Sequence, residues 1–176
     1  MDARSESQVA TLKHETKMER KSDREIVITR TVNGPARLVF EVWTKAELFQ
    51  RWWVPKSAPL KLLSCEMDVR VGGSYRLVFR VDADNTMAFF GEYLEVTPCS
   101  RLVWTNDEQG IDHRSITTVT FEERGDQTLV IVSELHPTKE ALESSGAADG
   151  LPESLQQLED LIAMLTEGGA NAGMTS

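Results

Sequence analysis

The 176-residue sequence predicts an α+β domain in which a curved antiparallel sheet wraps a long C-terminal helix, with two short helices after the first strand. Three observations carry that expectation. Runs rich in β-branched and aromatic residues, parted by short turns, dominate residues 60–134. Leu151, Leu155, Leu158, Leu161, Ile162 and Leu165 recur at the period of an amphipathic helix. Helices do not alternate with the strands, so neighbouring strands pair as hairpins rather than through crossovers.

Residues 1–22 are polar, carry few apolar anchors and read as a flexible arm. The alternation of Leu12, His14, Thr16 and Met18 gives that arm a weak sheet-edge pattern. Residues 25–32 form the first strand. Asn33-Gly34-Pro35 punctuates it, with Pro35 suited to a first helical turn, and Leu38, Val39, Val42 and Trp43 follow at helical spacing. A second short helix covers 45–52, ended by Pro55 and Pro59. Strands at 60–71 and 75–81 flank Gly72-Gly73, which reads as a tight two-residue turn. Further strands cover 87–96 and 101–105, and 106–114 is a polar loop. A last hairpin, 115–121 with 128–134, turns at Gly125-Asp126. A short helix at 138–144 and a loose stretch at 145–150 precede the long helix. Pro152 suits its start, and Glu153, Gln156, Gln157, Glu159 and Asp160 form its polar face. Gly168-Gly169 ends it, so the domain spans 23–167 and 168–176 fray.

A chain of this length builds one domain with a full core, needing neither disulfide nor metal. No apolar run approaches the roughly 20 residues that cross a bilayer, and the polar N-terminus lacks a signal-peptide core, so the cytoplasm is the expected compartment. The net charge of −9 is uneven: residues 101–176 hold 14 acidic against 4 basic side chains. That half repels phosphate backbones, which argues against nucleic acid and membrane insertion as modes of action. Cys65 and Cys99 sit in apolar, strand-like stretches and predict buried, reduced thiols.

Several fragments carry a family resemblance. They are Gly34-Pro-Ala-Arg-Leu-Val-Phe40, Leu48-Phe-Gln-Arg-Trp-Trp-Val-Pro55, Cys65-Glu-Met-Asp-Val-Arg-Val-Gly-Gly-Ser-Tyr75, Phe90-Gly-Glu-Tyr-Leu-Glu-Val-Thr-Pro98, Arg101-Leu-Val-Trp104 and Glu153-Ser-Leu-Gln-Gln-Leu158. In order and spacing over residues 24–165 the chain resembles the START-like (SRPBCC) superfamily. It is most similar to the bacterial branch named after the activator of heat-shock-protein-90 ATPase. The resemblance implies a helix-grip fold and, between sheet and helix, a space that superfamily members use for sterols, lipids, phytohormones or polyketides. It does not imply co-chaperone activity, because the eukaryotic co-chaperone relies on a further domain that a chain this short cannot hold.

Aromatic residues supply the candidate site. Trp43, Trp52, Trp53, Tyr75, Phe79, Phe90, Tyr93 and Trp104, with Leu158 and Ile162 as a floor, line a cavity or else fill a core. Adjacent Trp52 and Trp53 diverge on a helix, so one of them is hard to bury. At the mouth, Asp68 and Arg70 anchor a ligand carboxylate or pair at a strand end. Asp112, His113 and Arg114 handle protons or bind an anion, or form a solvated loop. Catalytic elbows, phosphate loops, dinucleotide fingerprints and metal-ligand spacings are missing, so no cofactor and no metal is expected. Three functions compete on these grounds. The first is binding of a small hydrophobic molecule in the cavity. The second is a protein-interaction module or homodimer, which predicts a filled cavity and an apolar patch at 52–54. The third is a cyclase- or hydrolase-type enzyme, which requires a polar group deep in the pocket.

Overall fold

The structure is a computed structural model that describes residues 16–108, 110, 113–145 and 147–175. Its strands are β1 (Lys17–Arg20), β2 (Glu25–Asn33), β3 (Lys61–Met67), β4 (Ser74–Arg80), β5 (Thr86–Thr97), β6 (Arg101–Glu108), β7 (Ser115–Arg124) and β8 (Gln127–Leu135). Helices α1 (Ala36–Thr44) and α2 (Ala46–Phe49) follow β2, and α3 (Lys139–Ser144) and α4 (Ala147–Thr175) follow β8. The strands form one sheet in the order β1-β2-β8-β7-β6-β5-β4-β3, antiparallel throughout. The sheet curves about α4, the α+β helix-grip arrangement the sequence predicts.

Burial alternates along the central strands as a half-wrapped sheet demands. In β2, Ile26, Ile28, Arg30 and Val32 face inward; in β8, Thr128, Val130 and Val132 do. The C-terminal half of the α4 stripe closes over this face, with Leu155, Leu158 and Ile162 fully buried among Val39, Val42, Val119 and Val130. Gly34 lets the helix come this close. A Cβ there would sit 2.7 Å from Ile162 Cγ2.

Several boundaries differ from the sequence reading. Lys17–Arg20, read as part of the arm, pairs along the outer edge of β2, while Leu12 and His14 lie outside the described residues. Helix α2 stops at Phe49, and the chain then turns through Trp52. Strand β3 ends at Met67, so Gly72-Gly73 closes a six-residue loop rather than a two-residue turn. In that loop Asp68 N donates to Ser74 O, and Gly73 N to Arg70 O. Glycine is required at 73, where a Cβ would fall 2.0 Å from Asp68 O. Strand β6 continues to Glu108, taking Asn106 out of the expected loop and into the sheet. Helix α4 starts at Ala147, within the stretch expected to be loose, and its backbone stays helical past Gly168-Gly169. Cys99 is exposed in the turn after β5 at φ 61°, not buried in a strand, because Pro98 ends the ladder beside it.

Candidate functional site

A cavity of about 350 Å³ opens where α4 begins, between that helix, α3 and the inner face of the sheet. It exists because the apolar stripe fills the groove only from Leu155 onward. Ahead of it stand Gly150, Leu151 and Ser154, which leave space. Exposed His113, Ser144 and Leu60 mark the solvent side.

The aromatic wall is built by local packing. Trp43 of α1 lies 5.8 Å from Trp104 of β6 and 6.1 Å from Trp53, centroid to centroid. Phe49 stacks on Trp53 at 4.8 Å. Side chains of α4 hold the Trp53 segment in place by satisfying its backbone. Ser154 Oγ donates to Trp53 O at 2.6 Å, and Gln157 Nε2 donates to Trp52 O and Val54 O at 2.9 Å. Lys56 N donates to Gln157 Oε1 at 2.8 Å, and Ser57 hydrogen bonds to Glu153. Those bonds fix Trp53, Val54 and Pro55 as cavity wall.

One end of the cavity is polar. Asn106 is its hub. Its Oδ1 lies 2.9 Å from the Tyr75 hydroxyl and accepts from Trp104 Nε1 at 3.0 Å. Its Nδ2 donates to Thr117 Oγ1 at 2.7 Å and to Ser115 Oγ at 3.2 Å. The Tyr75 hydroxyl also lies 2.9 Å from Thr105 O. Next to this network, His136 Nε2 and Glu134 Oε1 sit 3.1 Å apart, and both residues line the cavity. Burial pushes the Tyr75 phenol well above its ordinary value, and the charges near it, Asp107 and Glu134 among them, push the same way. Tyr93 is raised as well, chiefly by burial. Burial also pushes the half-buried Cys65 thiol up to about 11, which leaves it mostly as the unreactive thiol at neutral pH.

Of the residues singled out from the sequence, Trp43, Trp53, Tyr75, Phe79, Tyr93, Trp104 and His113 come together around this space. Others do not. Trp52 is fully buried beneath the wall, its indole N–H donating to Val42 O at 2.8 Å. Phe90 is exposed on the outer face, because strand alternation sends Phe89 inward instead. Leu158 and Ile162 lie one and two turns too far along α4 and belong to the solid core. Asp68 and Arg70 pair with each other at 2.9 Å on an exposed loop away from the cavity. Arg114 reaches the site only through Asp107, a wall residue that it meets at 3.0 Å. Asp112 lies outside the described residues.

The sequence reading missed Asn106, Glu134 and His136. Two-residue spacing along an extended segment was the available signal, since residues i and i+2 share a face. Among the described residues no group of three or more His, Cys, Asp or Glu side chains is placed to hold a metal ion. No helix among them is long and apolar enough to cross a membrane.

A curved antiparallel sheet gripping a long C-terminal helix defines a START-like helix-grip protein. More narrowly, the chain belongs to the family described as activator of Hsp90 ATPase homolog 1-like protein, whose profile matches residues 33–163. Solved structures agree. A Rhodobacter sphaeroides protein superposes with a TM-score of 0.77 at 18% identity, covering 86% of this chain and 99% of its own. A Nitrosomonas europaea protein reaches 0.71 at 25% identity, covering 84% and 99%. One from Chromobacterium violaceum reaches 0.70 at 26%, covering 80% and 98%. No curated protein matches the chain.

Proposed function

We infer that this protein binds a small hydrophobic or aromatic molecule in the cavity between the sheet and the start of α4. The observation that carries this reading is a space of about 350 Å³ walled by the rings of Trp43, Phe49, Trp53, Tyr75 and Trp104 between the sheet and the start of α4. The volume falls in the range of ligand sites, and an apolar, aromatic lining with a few convergent polar groups is what such sites share. The partner-binding reading fares less well. It places an apolar surface patch at residues 52–54, but Trp52 is buried while Trp53 and Val54 belong to the cavity wall.

The test pairs an uncharged fluorescent apolar probe, N-phenyl-1-naphthylamine, with thermal unfolding. At 100 times its dissociation constant a ligand adds about 2.7 kcal/mol and raises the midpoint visibly. Ala141→Phe directs a ring into the cavity and should abolish both the fluorescence gain and the midpoint shift, with the variant itself still melting cooperatively. Equal probe binding by the variant and the parent protein would place the probe elsewhere and defeat the proposal.

A further inference from the structure

We propose that the cavity selects a ligand that joins a planar aromatic or other hydrophobic body to a cationic amine, with Glu134 as the counter-ion. This inference rests on the cavity reading above and adds the charge of the ligand to it.

Asp107, Glu108 and Glu134 contribute three carboxylates to the cavity wall, and among the described residues no Lys or Arg lines it. Arg114 neutralises Asp107 from outside the wall at 3.0 Å. Among the described residues no Lys or Arg is paired with Glu134; its side chain bonds to His136 and is just 14% exposed. A carboxylate this enclosed, with the Tyr75 phenol nearby, has given up much of its water. A ligand ammonium would supply the missing charge and a short charge-assisted hydrogen bond.

The rest of the wall agrees. Asn106 already spends both side-chain ends on Tyr75, Trp104, Ser115 and Thr117, so it offers a ligand little. Indole and phenyl faces attract cations as well as apolar surface, and Trp43, Trp53, Trp104 and Phe49 present four such rings. An anionic ligand meets the opposite situation. It would bring a fourth negative charge into a wall whose two histidines, His113 and His136, are its only basic groups among the described residues.

Three probes of one shape decide the matter: naphthalen-2-ylmethylamine, naphthalene-2-carboxylate and 2-methylnaphthalene, titrated by calorimetry and by quenching of tryptophan fluorescence. The amine should bind roughly ten- to a hundredfold more tightly than the neutral ring, the gain of one charge-assisted hydrogen bond. The carboxylate should bind more weakly than the neutral ring. Glu134→Gln keeps a hydrogen-bonding partner for His136 and should erase the advantage of the amine while leaving 2-methylnaphthalene unchanged. The comparison of probes on the unaltered protein stands even if that variant folds poorly. If the neutral ring binds as well as the amine, or Glu134→Gln leaves their ratio intact, the charge preference is wrong and the hydrophobic cavity stands. If none of the three binds, both proposals fall.

Discussion

Arg30 Nη2 of β2 lies 2.8 Å from Glu159 Oε1 of α4, a buried ion pair that ties the helix to the sheet it closes. Arg30 Nε also donates to Glu159 Oε1 at 3.2 Å, Nη2 to Gln156 Oε1 at 2.7 Å and Nη1 to Thr16 Oγ1 at 2.9 Å, and Glu159 Oε2 accepts from Asn33 N at 3.1 Å. The cluster holds the filled half of the groove in register and so fixes where the empty half begins. Removing one partner leaves the other charge buried. Arg30→Met should therefore lower the unfolding free energy by about 3–5 kcal/mol in urea titrations. Adding Glu159→Leu should recover most of that loss. A single-variant effect under about 1 kcal/mol would mean that the pair does not clamp the helix.

The two tyrosines of the chain predict the alkaline limit of the fold. Both Tyr75 and Tyr93 are raised above the ordinary phenol value of 10, mainly by burial. In the folded protein they keep protons that the unfolded chain releases. Their contribution is therefore complete below that value and declines as pH climbs above it. Spectrophotometric titration should show no phenolate step near pH 10 in the native protein, and phenolate absorbance should appear together with loss of secondary structure. A reversible step near pH 10 with the fold intact would show that one ring is open to solvent.

Gly91 of β5 makes the polar end of the cavity possible. A Cβ there would meet Thr105 O at 1.9 Å and the Tyr75 ring at 2.7 Å. The close approach bends β5 toward β6, where Glu92 N donates to Thr105 Oγ1 at 3.0 Å. Gly91→Ala should cost about 2 kcal/mol or more and displace Tyr75 from Asn106, seen as a loss of near-ultraviolet circular dichroism. Ala at Gly125 makes the contrast: nothing lies within 4 Å of its Cβ position, so that variant reports only the strain of φ 65°.

The fold was legible because the sheet and α4 each announce themselves by period. Strand alternation at residues 25–32 and 115–134 and the leucine stripe at 151–165 leave few other ways to bury these faces. The site was legible only in its aromatics. Trp43, Trp53, Tyr75 and Trp104 are large enough to be suspected anywhere, but nothing local says that Trp52 lies beneath the wall or that Leu158 packs solidly while Leu151 does not. Those outcomes depend on how deeply α4 seats, which long-range contacts such as Arg30–Glu159 and Gly34–Ile162 decide. Asn106 was hidden because polar residues after Trp104 look like a loop. Three of the hub's four partners come from other strands, Tyr75 of β4 and Ser115 and Thr117 of β7, so the hub exists only once the sheet has assembled.

Trp43 and Trp52 offer a test of what one buried indole hydrogen bond contributes. Both are almost fully buried and their rings sit 4.6 Å apart, yet the Trp52 N–H donates to Val42 O and the Trp43 N–H has no partner among the described residues. Changing each to Phe removes a similar volume, so the difference between the variants isolates the hydrogen bond. Trp52→Phe strands a buried carbonyl and should be the more damaging by about 1–3 kcal/mol. Trp43→Phe discards a donor with no acceptor among the described residues. It should lose little stability beyond the missing ring volume. Equal destabilisation by the two substitutions, measured by urea unfolding, would show that the Trp43 N–H is satisfied as fully as that of Trp52.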